Sequence, residues 1–245
     1  MPSWGRQSQG LGDTNGDGYA DIAVAAPLFN GAAADSGFVQ FFQGSSTGIS
    51  AASARSFEGT QVSEEIGRSL SGGDPDNDGF ADLLIGAPRA DDAAFIDSGR
   101  IMLARGVGSV PDNVHDTLVE SNVINASLGN AMASGDLNGD GFTDLAVGAF
   151  GQNAGEARYT LFWVSSTGLP SIPTTVLTTS STLEFGISVA IGDLNGNGFG
   201  DLIVGASQAS NGQGSEGLVH VYWGCLRYHH RPVLRSRPEP GRIRT

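Results

Sequence analysis

A nine-residue acidic segment recurs four times in this 245-residue chain and constrains its fold more than any other feature. The copies occupy 13–21, 74–82, 136–144 and 193–201, and they align without gaps. Their first residues are 61, 62 and 57 positions apart. Recurrence at a nearly constant period is typical of a repeat architecture, in which each unit packs only against its neighbours.

Each segment has the residue types of a calcium loop. Positions 1, 3, 5 and 9 are Asp or Asn, position 6 is Gly, and position 7 is aromatic. Ca²⁺ takes six to eight oxygen ligands, which a short loop supplies from alternate positions, with a glycine at the sharp turn. Position 7 can offer only its backbone carbonyl, which leaves its ring free to pack inward. Plain polar turns and catalytic carboxylate pairs are the alternatives. Four matching copies favour a repeated structural calcium site.

An EF-hand begins with the same pattern but requires a bidentate Glu at position 12 and flanking helices. Position 12 here is always a β-branched apolar residue, namely Val24, Ile85, Val147 or Val204. Such residues cannot ligate calcium and fit a buried strand. The sequence therefore predicts that each loop joins two strands.

The rest of each unit also has the pattern of short strands. A large apolar residue followed by Gly opens a strand before each loop, at Trp4-Gly5, Ile66-Gly67, Leu128-Gly129 and Phe185-Gly186. A third strand is predicted at 38–42, 100–103, 157–164 and 218–223. A weaker fourth is predicted at 54–58, 117–120 and 174–178, and the last unit has no recognisable fourth strand. Four antiparallel strands per repeat predict an all-β fold built of β-propeller blades.

The chain divides into an acidic body and a basic tail. We predict four blades at about 1–62, 63–124, 125–181 and 182–224. The segment 225–245 contains six Arg and one Glu, a net charge of +5 within a total of −13. It is predicted to be disordered. A basic arm for an anionic partner and an altered gene end are two interpretations of it, and the abrupt change in composition favours the second.

The order of these submotifs resembles the FG-GAP repeats of integrin α-subunit β-propellers. It is an apolar residue with Gly, then Asp-x-Asn-x-Asp-Gly-x-x-Asp, then Gly-Ala-Pro. The resemblance implies a partial or open propeller, with four of an expected seven blades and up to four Ca²⁺ ions. The implied metal ligands, with position 7 acting through its carbonyl, are Asp13, Asn15, Asp17, Tyr19 and Asp21; Asp74, Asp76, Asp78, Phe80 and Asp82; Asp136, Asn138, Asp140, Phe142 and Asp144; and Asp193, Asn195, Asn197, Phe199 and Asp201.

The copies depart from the family pattern in ways that rank them. Asn197 replaces the Asp expected at position 5, and Phe150 and Ser207 replace the Pro of Gly-Ala-Pro. The loop at 74 has four carboxylates and the loop at 193 has two. Because ligand charge raises calcium affinity, the loop at 74 is expected to bind most tightly and the loop at 193 least tightly.

These features predict a calcium-binding module for extracellular adhesion or for recognition of an unknown protein or glycan ligand. Variable loops at 29–37, 89–99 and 208–217 would contact that ligand. The acidic composition argues against nucleic-acid binding. No apolar run reaches the ~20 residues that cross a bilayer.

No catalytic motif is recognisable, so an enzyme is not expected. The alternatives are the non-catalytic propeller part of a larger secreted enzyme, such as a hydrolase, lyase or phospholipase, and a purely structural surface repeat. Residues 1–6 have no apolar leader. Together with the four blades, this favours a fragment of a longer extracellular or cell-surface chain that carries further blades.

Overall fold

The computed structural model describes residues 7–92, 94–109, 111–112, 118–121, 123–149, 158–166, 168–171, 174–178, 185–207, 217–224 and 235–236. All the regular secondary structure in these residues is β-strand. These residues contain no helix that is long and apolar enough to cross a membrane. The strands form four separate four-stranded antiparallel sheets that do not close into one barrel or ring. The predicted all-β, open propeller is confirmed.

Each sheet contains four strands in chain order. The first holds β1 (Gln7–Gly12), β2 (Asp21–Ala26), β3 (Phe38–Phe42) and β4 (Arg55–Glu58). The second holds β5 (Ser69–Gly73), β6 (Asp82–Ala87), β7 (Arg100–Ala104) and β8 (Leu118–Glu120). The third holds β9 (Leu128–Gly135), β10 (Asp144–Ala149), β11 (Arg158–Phe162) and β12 (Thr175–Thr178). The fourth holds β13 (Phe185–Gly192), β14 (Asp201–Ala206), β15 (Leu218–Trp223) and β16 (Arg235–Ser236).

The last sheet differs from the sequence-based expectation. It has a short fourth strand, β16, whose Ser236 and Arg235 pair with Tyr222 and Trp223 of β15. The Arg-rich sequence did not predict this strand because it has no apolar alternation of side chains, which is the sequence signal for a strand. The hydrogen bonds between paired strands need only backbone groups. The rest of 225–245, and with it the predicted disorder, lies outside the described residues. So does the Trp4-Gly5 pair, since the description of the first sheet begins at β1.

The hydrophobic core lies between successive sheets. Side chains alternate across each strand, so every sheet has two apolar faces and buries one against each neighbour. Val39 and Phe41 of the first sheet pack with Ile85 of the second. In the same way, Ile101 of the second sheet packs with Val147 of the third. Three such cores join the four sheets, and the third is formed by Leu161 with Leu202 and Val204.

The recurring glycines allow neighbouring backbones to approach closely. Gly67 has a φ of +81°, and a Cβ there would lie 2.6 Å from the Cβ of Ala25 and 2.7 Å from Val39. Gly129 has a φ of +92° and lies against the backbone of Gly86. A residue with a side chain would be strained by this backbone conformation and would also clash with the preceding sheet. The apolar-Gly and Gly-Ala-Pro submotifs are therefore two sides of one contact.

The connections between sheets fasten the loops at one rim. In the first connection, the Ile66 N–H donates to the Ser36 carbonyl at 3.0 Å. One repeat later, the Leu128 N–H donates to the Ser98 carbonyl at 3.2 Å. The loops at 29–37 and 89–99 are therefore held by the same backbone contact, although their sequences differ.

One connection also contains a buried ion pair. Glu64, which is 1% exposed, accepts the N–H groups of Thr60 at 2.7 Å and Gln61 at 3.0 Å. Its other carboxylate oxygen pairs with the guanidinium of Arg100 at the start of β7. The pair ties the first connection to the second sheet. Removing one partner of such a pair strands a buried charge, which is strongly destabilising.

Candidate metal centres

The first aspartate of each loop is surrounded by backbone N–H groups. Asp13 accepts the N–H of Gly16 at 2.7 Å through Oδ1 and that of Gly18 at 2.7 Å through Oδ2. Gly18, at position 6, has a φ of +87°, which a turn of this sharpness requires. The Gly18 N–H is the main cause that lowers the pKa of Asp13, and the corresponding N–H lowers the pKa of Asp193. Both carboxylates are therefore ionised at neutral pH.

Positions 3 and 5 follow one hydrogen-bond pattern in all four loops. The position-3 oxygen accepts the N–H of position 5, at 2.9–3.3 Å. The position-5 oxygen accepts the N–H of position 7, at 2.9–3.0 Å. In the loop at 74, oxygens of Asp74, Asp76 and Asp78 lie within 4.8 Å of one another. Three carboxylates this close repel one another unless a cation or a hydrogen-bond donor lies between them.

The ninth residue connects each loop to the third strand of its sheet. Asp21, Asp82, Asp144 and Asp201 are all fully buried. One carboxylate oxygen of each accepts the N–H that follows the third strand, from Gly44, Gly106, Val164 and Gly224 respectively, at 2.7–2.9 Å. A ligand at position 9 would thus be held by the sheet and not only by the loop.

The second oxygen of the ninth residue distinguishes one loop from the other three. In those three it accepts the N–H of position 2, from Thr14, Leu137 and Leu194, at 2.9–3.1 Å. In the loop at 74 this position is Pro75, which has no N–H. Asp82 Oδ2 is buried and has no hydrogen-bond partner among the described residues.

Burial makes two of these carboxylates, those of Asp82 and Asp144, hard to ionise without a counter-charge. Burial raises the pKa of Asp82 to about 8, against a partly opposing N–H from Gly106. It also raises the pKa of Asp144 to about 7, although two N–H groups oppose it there. The carboxylate oxygens of this loop that lie close enough together to hold one cation belong to Asp74, Asp76 and Asp78. The loop at 74 therefore fits a bound cation on geometry as well as on charge.

An arginine at this loop escaped the sequence reasoning. The Arg105 guanidinium donates to Asp76 Oδ2 from just beyond β7, 29 residues away along the chain. Burial raises the pKa of Asp76, the charge of Asp78 adds to the effect, and Arg105 opposes it. The equivalent residue of the first sheet is Gln43, so aligning the units shows that they differ here. Arg105 would compete with a cation for Asp76.

The twenty predicted ligands all lie in described residues, and the structure groups them into four separate loops. Each loop connects the first and second strands of its sheet, so all four lie on the rim opposite the loops at 29–37 and 89–99. Neighbouring loops are also joined directly. The Ala81 N–H donates to the Asp13 carbonyl at 2.9 Å, and the Gly200 N–H donates to the Asp136 carbonyl at 2.7 Å.

Three of the aromatic rings at position 7, those of Tyr19, Phe80 and Phe199, lie at the rim of the loops. Phe80 lies over Gly16 of the preceding loop, where a Cβ would be 2.8 Å from its ring. Phe199 covers Gly139 of its own preceding loop in the same way. Tyr19, in the first loop, is 43% exposed. Phe80 and Phe199 therefore pack on the loop of the preceding sheet.

Comparison with known proteins agrees with this repeat geometry. The model of the FG-GAP repeat matches residues 7–42, 66–101, 128–158 and 185–222, which make up more than half of the chain. Integrin alpha-5 of Xenopus laevis is 33% identical over 211 residues, covering 81% of this chain and 19% of the integrin. Integrin alpha-IIb of Mus musculus is 32% identical over 217 residues, with 79% and 20% covered.

A third relative is an enzyme by name. Phosphatidylinositol-glycan-specific phospholipase D of Bos taurus is 28% identical over 182 residues, covering 69% of this chain and 22% of the enzyme. The chain thus spans about a fifth of the length of these relatives. The matched segments each contain one of the loops described above. The chain therefore belongs to the FG-GAP repeat family, and its four sheets are an open part of an integrin α-like β-propeller.

Proposed function

We propose that each of the four loops binds one calcium ion, with position 1, 3, 5 and 9 side chains and the position-7 carbonyl as ligands. Two observations support this: the all-oxygen donor set, which suits a hard cation, and the oxygens of Asp74, Asp76 and Asp78, which lie within 4.8 Å of one another. When bound, the ion supplies the positive charge that the clustered carboxylates need. The loop residues orient the oxygens, and the ninth residue joins the site to the third strand.

The repeat boundaries form part of this proposal. Each calcium loop belongs to one blade, with the blades at about 1–62, 63–124, 125–181 and 182–224 and a basic tail at 225–245. Calcium would then hold the first two strands of each blade together at the rim. Ion binding and folding are linked, so a protein that binds only when folded is stabilised by the ion.

Calorimetric titration of chelator-treated protein with calcium tests the proposal. We expect up to four sites, with the loop at 74 tightest, and a melting temperature that rises with calcium. Asp82→Asn should remove one site, whereas Glu65→Gln, at an acid outside the loops, should remove none. A melting temperature indifferent to chelator, together with no heat of binding, would refute the proposal.

We further propose that the module is extracellular or at the cell surface, is not itself an enzyme, and recognises a protein or glycan ligand. The relatives named integrin alpha support this assignment. The loops at 29–37 and 89–99 are suited to ligand contact. Their sequences differ, whereas equivalent backbone hydrogen bonds hold both of them in place. Of the third variable loop, 208–216 lies outside the described residues.

The relative named phospholipase D favours a second candidate, the propeller part of a larger secreted enzyme. Two measurements on the calcium-loaded chain separate the candidates. One is binding to arrays of matrix proteins and glycans, and the other is hydrolysis of a phosphatidylinositol-glycan. Binding without hydrolysis supports recognition. Hydrolysis would refute the non-enzymatic assignment, and neither binding nor hydrolysis would leave a purely structural repeat.

A further inference from the structure

The acidic loops at 13 and 74 touch each other at two points. The Ala81 N–H donates to the Asp13 carbonyl at 2.9 Å. The ring of Phe80 lies over Gly16, where a Cβ would be 2.8 Å from it. Phe80 and Ala81 directly precede the buried Asp82. The segment that contacts the loop at 13 therefore also carries two of the proposed ligands of the loop at 74, the Phe80 carbonyl and the Asp82 side chain.

The loops at 136 and 193 make the same two contacts. The Gly200 N–H donates to the Asp136 carbonyl at 2.7 Å. The ring of Phe199 lies so close over Gly139 that a Cβ there would overlap it. Here too the contacting residues directly precede the buried ligand of the later loop, Asp201. The geometry of the first pair is thus repeated in the second.

The loops at 74 and 136 are joined differently. Position 4 of the loop at 74 is Asn77, with a φ of +57°, whereas the other three loops have Gly there. Because a Cβ at this position overlaps the ring in both pairs above, Phe142 cannot cover Asn77 in the same way. The Asp74 N–H donates to Oγ1 of Thr143 at 3.4 Å. Among the described residues, no hydrogen bond joins the Thr143 N–H to the Asp74 carbonyl.

We propose that calcium binds to this chain as two coupled pairs, the loops at 13 and 74 and the loops at 136 and 193. This rests on the calcium binding proposed above and adds how the sites influence one another. An ion in one loop of a pair orders the contact segment that both loops share. The second ion then has less ordering to impose and binds more tightly. Because such coupling is reciprocal, either loop of a pair raises the affinity of the other.

Repulsion between the two ions of a pair opposes this coupling. The loop at 13 has three carboxylates, and one calcium ion cancels two of their charges. This lowers the attraction that the loop exerts on a second cation nearby. Salt screens the repulsion, with a Debye length of about 8 Å at physiological ionic strength, but does not weaken the ring contact. The coupling should therefore be larger at high ionic strength, and a coupling that disappears there would overturn the contact mechanism.

Calcium titration of the full chain, followed by amide NMR, resolves the four sites. The position-6 glycine N–H of every loop donates to the position-1 carboxylate at 2.7–3.0 Å, so its signal reports on its own loop. The four reporters are Gly18, Gly79, Gly141 and Gly198. If none of these signals responded to calcium, calcium binding itself would be refuted. If all four responded but each site filled independently, only the pairing would be overturned.

Removing one ligand at a time shows which loops are coupled. Asp17→Ala, in the loop at 13, should lower the affinity of the loop at 74 about tenfold and leave the loops at 136 and 193 unchanged. Asp140→Ala, in the loop at 136, is the matched variant. It should lower the affinity of the loop at 193 about tenfold and leave the loops at 13 and 74 unchanged. An equal loss in all remaining loops would indicate linkage to global folding, and an unchanged partner loop would indicate independent sites. Either result would overturn the proposal.

A substitution at position 4 tests the ring contact without removing a ligand. Gly16→Asn copies Asn77, which shows that such a loop accommodates Asn at a positive φ. Its side chain should displace the Phe80 ring, so that Asp17→Ala in this background lowers the affinity of the loop at 74 less than about threefold. Gly196→Asn is the control, since a Cβ at this position meets nothing within 4 Å, and it should leave the coupling of its pair intact. An undiminished coupling in Gly16→Asn would overturn the assignment of the coupling to this contact.

Discussion

Replacing Asp82 by Asn should change the stability of the protein in opposite directions with and without calcium. The side chain is fully buried, and Oδ1 accepts the Gly106 N–H while Oδ2 has no partner among the described residues. Pro75 removes the backbone donor that serves the other loops. Without a cation, this carboxyl must take up a proton to be buried, which opposes folding at neutral pH. With a cation, it becomes a ligand.

The magnitude follows from the pKa of Asp82. Burial raises that pKa from 3.8 to about 8, so the folded state holds this proton to a higher pH than the unfolded state. Stability therefore falls as the pH rises from about 4 to about 8, and the loss at pH 7 is roughly 4 kcal/mol. Asn removes this loss but adds an N–H group without an acceptor, which costs about 1–3 kcal/mol. The net gain in chelator is about 1–3 kcal/mol at pH 7.

Urea unfolding in chelator and in excess calcium is the assay. In calcium the variant loses the stabilisation from one site, about 4.1 kcal/mol at a thousand times Kd, which exceeds the gain of about 1–3 kcal/mol, so wild type becomes the more stable protein. At pH 5 in chelator the gain should shrink, because the loss carried by wild type falls to about 1–2 kcal/mol.

Asp144→Asn is the matched control. Its Oδ2 accepts the Leu137 N–H at 3.1 Å, and an amide group there would leave that donor unpaired. In chelator Asp82→Asn should therefore be the more stable variant by about 1–3 kcal/mol. If the two variants were equally stable, or if Asp82→Asn were less stable than wild type in both conditions, the reasoning would be wrong.

Three further predictions concern other contacts. Arg105→Gln should raise the calcium affinity of the loop at 74 about tenfold, as measured by calorimetry. The reason is that calcium no longer has to displace the Arg105 guanidinium from Asp76, an interaction worth about 1–2 kcal/mol. An unchanged affinity would contradict this competition. Glu64→Ala should lower the free energy of unfolding by about 3–5 kcal/mol in urea, whereas Glu65→Ala, in more exposed ion pairs, should cost about 1 kcal/mol or less. Gly67→Ala should cost about 2–4 kcal/mol through backbone strain and overlap, against about 1–2 kcal/mol for Gly79→Ala, where a Cβ meets open space; equal costs would exclude the overlap.

Much of the fold was predictable because its determinants are local. A β-branched residue at position 12, such as Val24 or Val204, excluded a helix after the loop and predicted a strand, which the structure confirms. The third strands could be located because they alternate or concentrate large apolar residues, and β15 was predicted with its observed bounds. The strand β16 was missed because its pairing depends on backbone groups alone.

The candidate sites were predicted only in part for a related physical reason. The residue types within each loop and their spacing indicate a calcium site from the sequence. Arg105 reaches Asp76 through the fold, and no local pattern connects residues 29 positions apart. The effect of Pro75 on Asp82 could not be predicted from the sequence either. The missing N–H of Pro75 matters only because Asp82 Oδ2 is buried, and the burial of that oxygen is known only from the structure.

The sequence by itself determined the repeat, the strand order and the acidic loops, because periodicity, glycine placement and β-branching act over a few residues. Only the tertiary structure decided how the units meet. It placed Gly67 against the preceding sheet, turned Phe80 onto the preceding loop and left Val219 exposed on the last sheet. These outcomes depend on whether another sheet lies alongside, and burial is a property of the neighbour as much as of the residue itself.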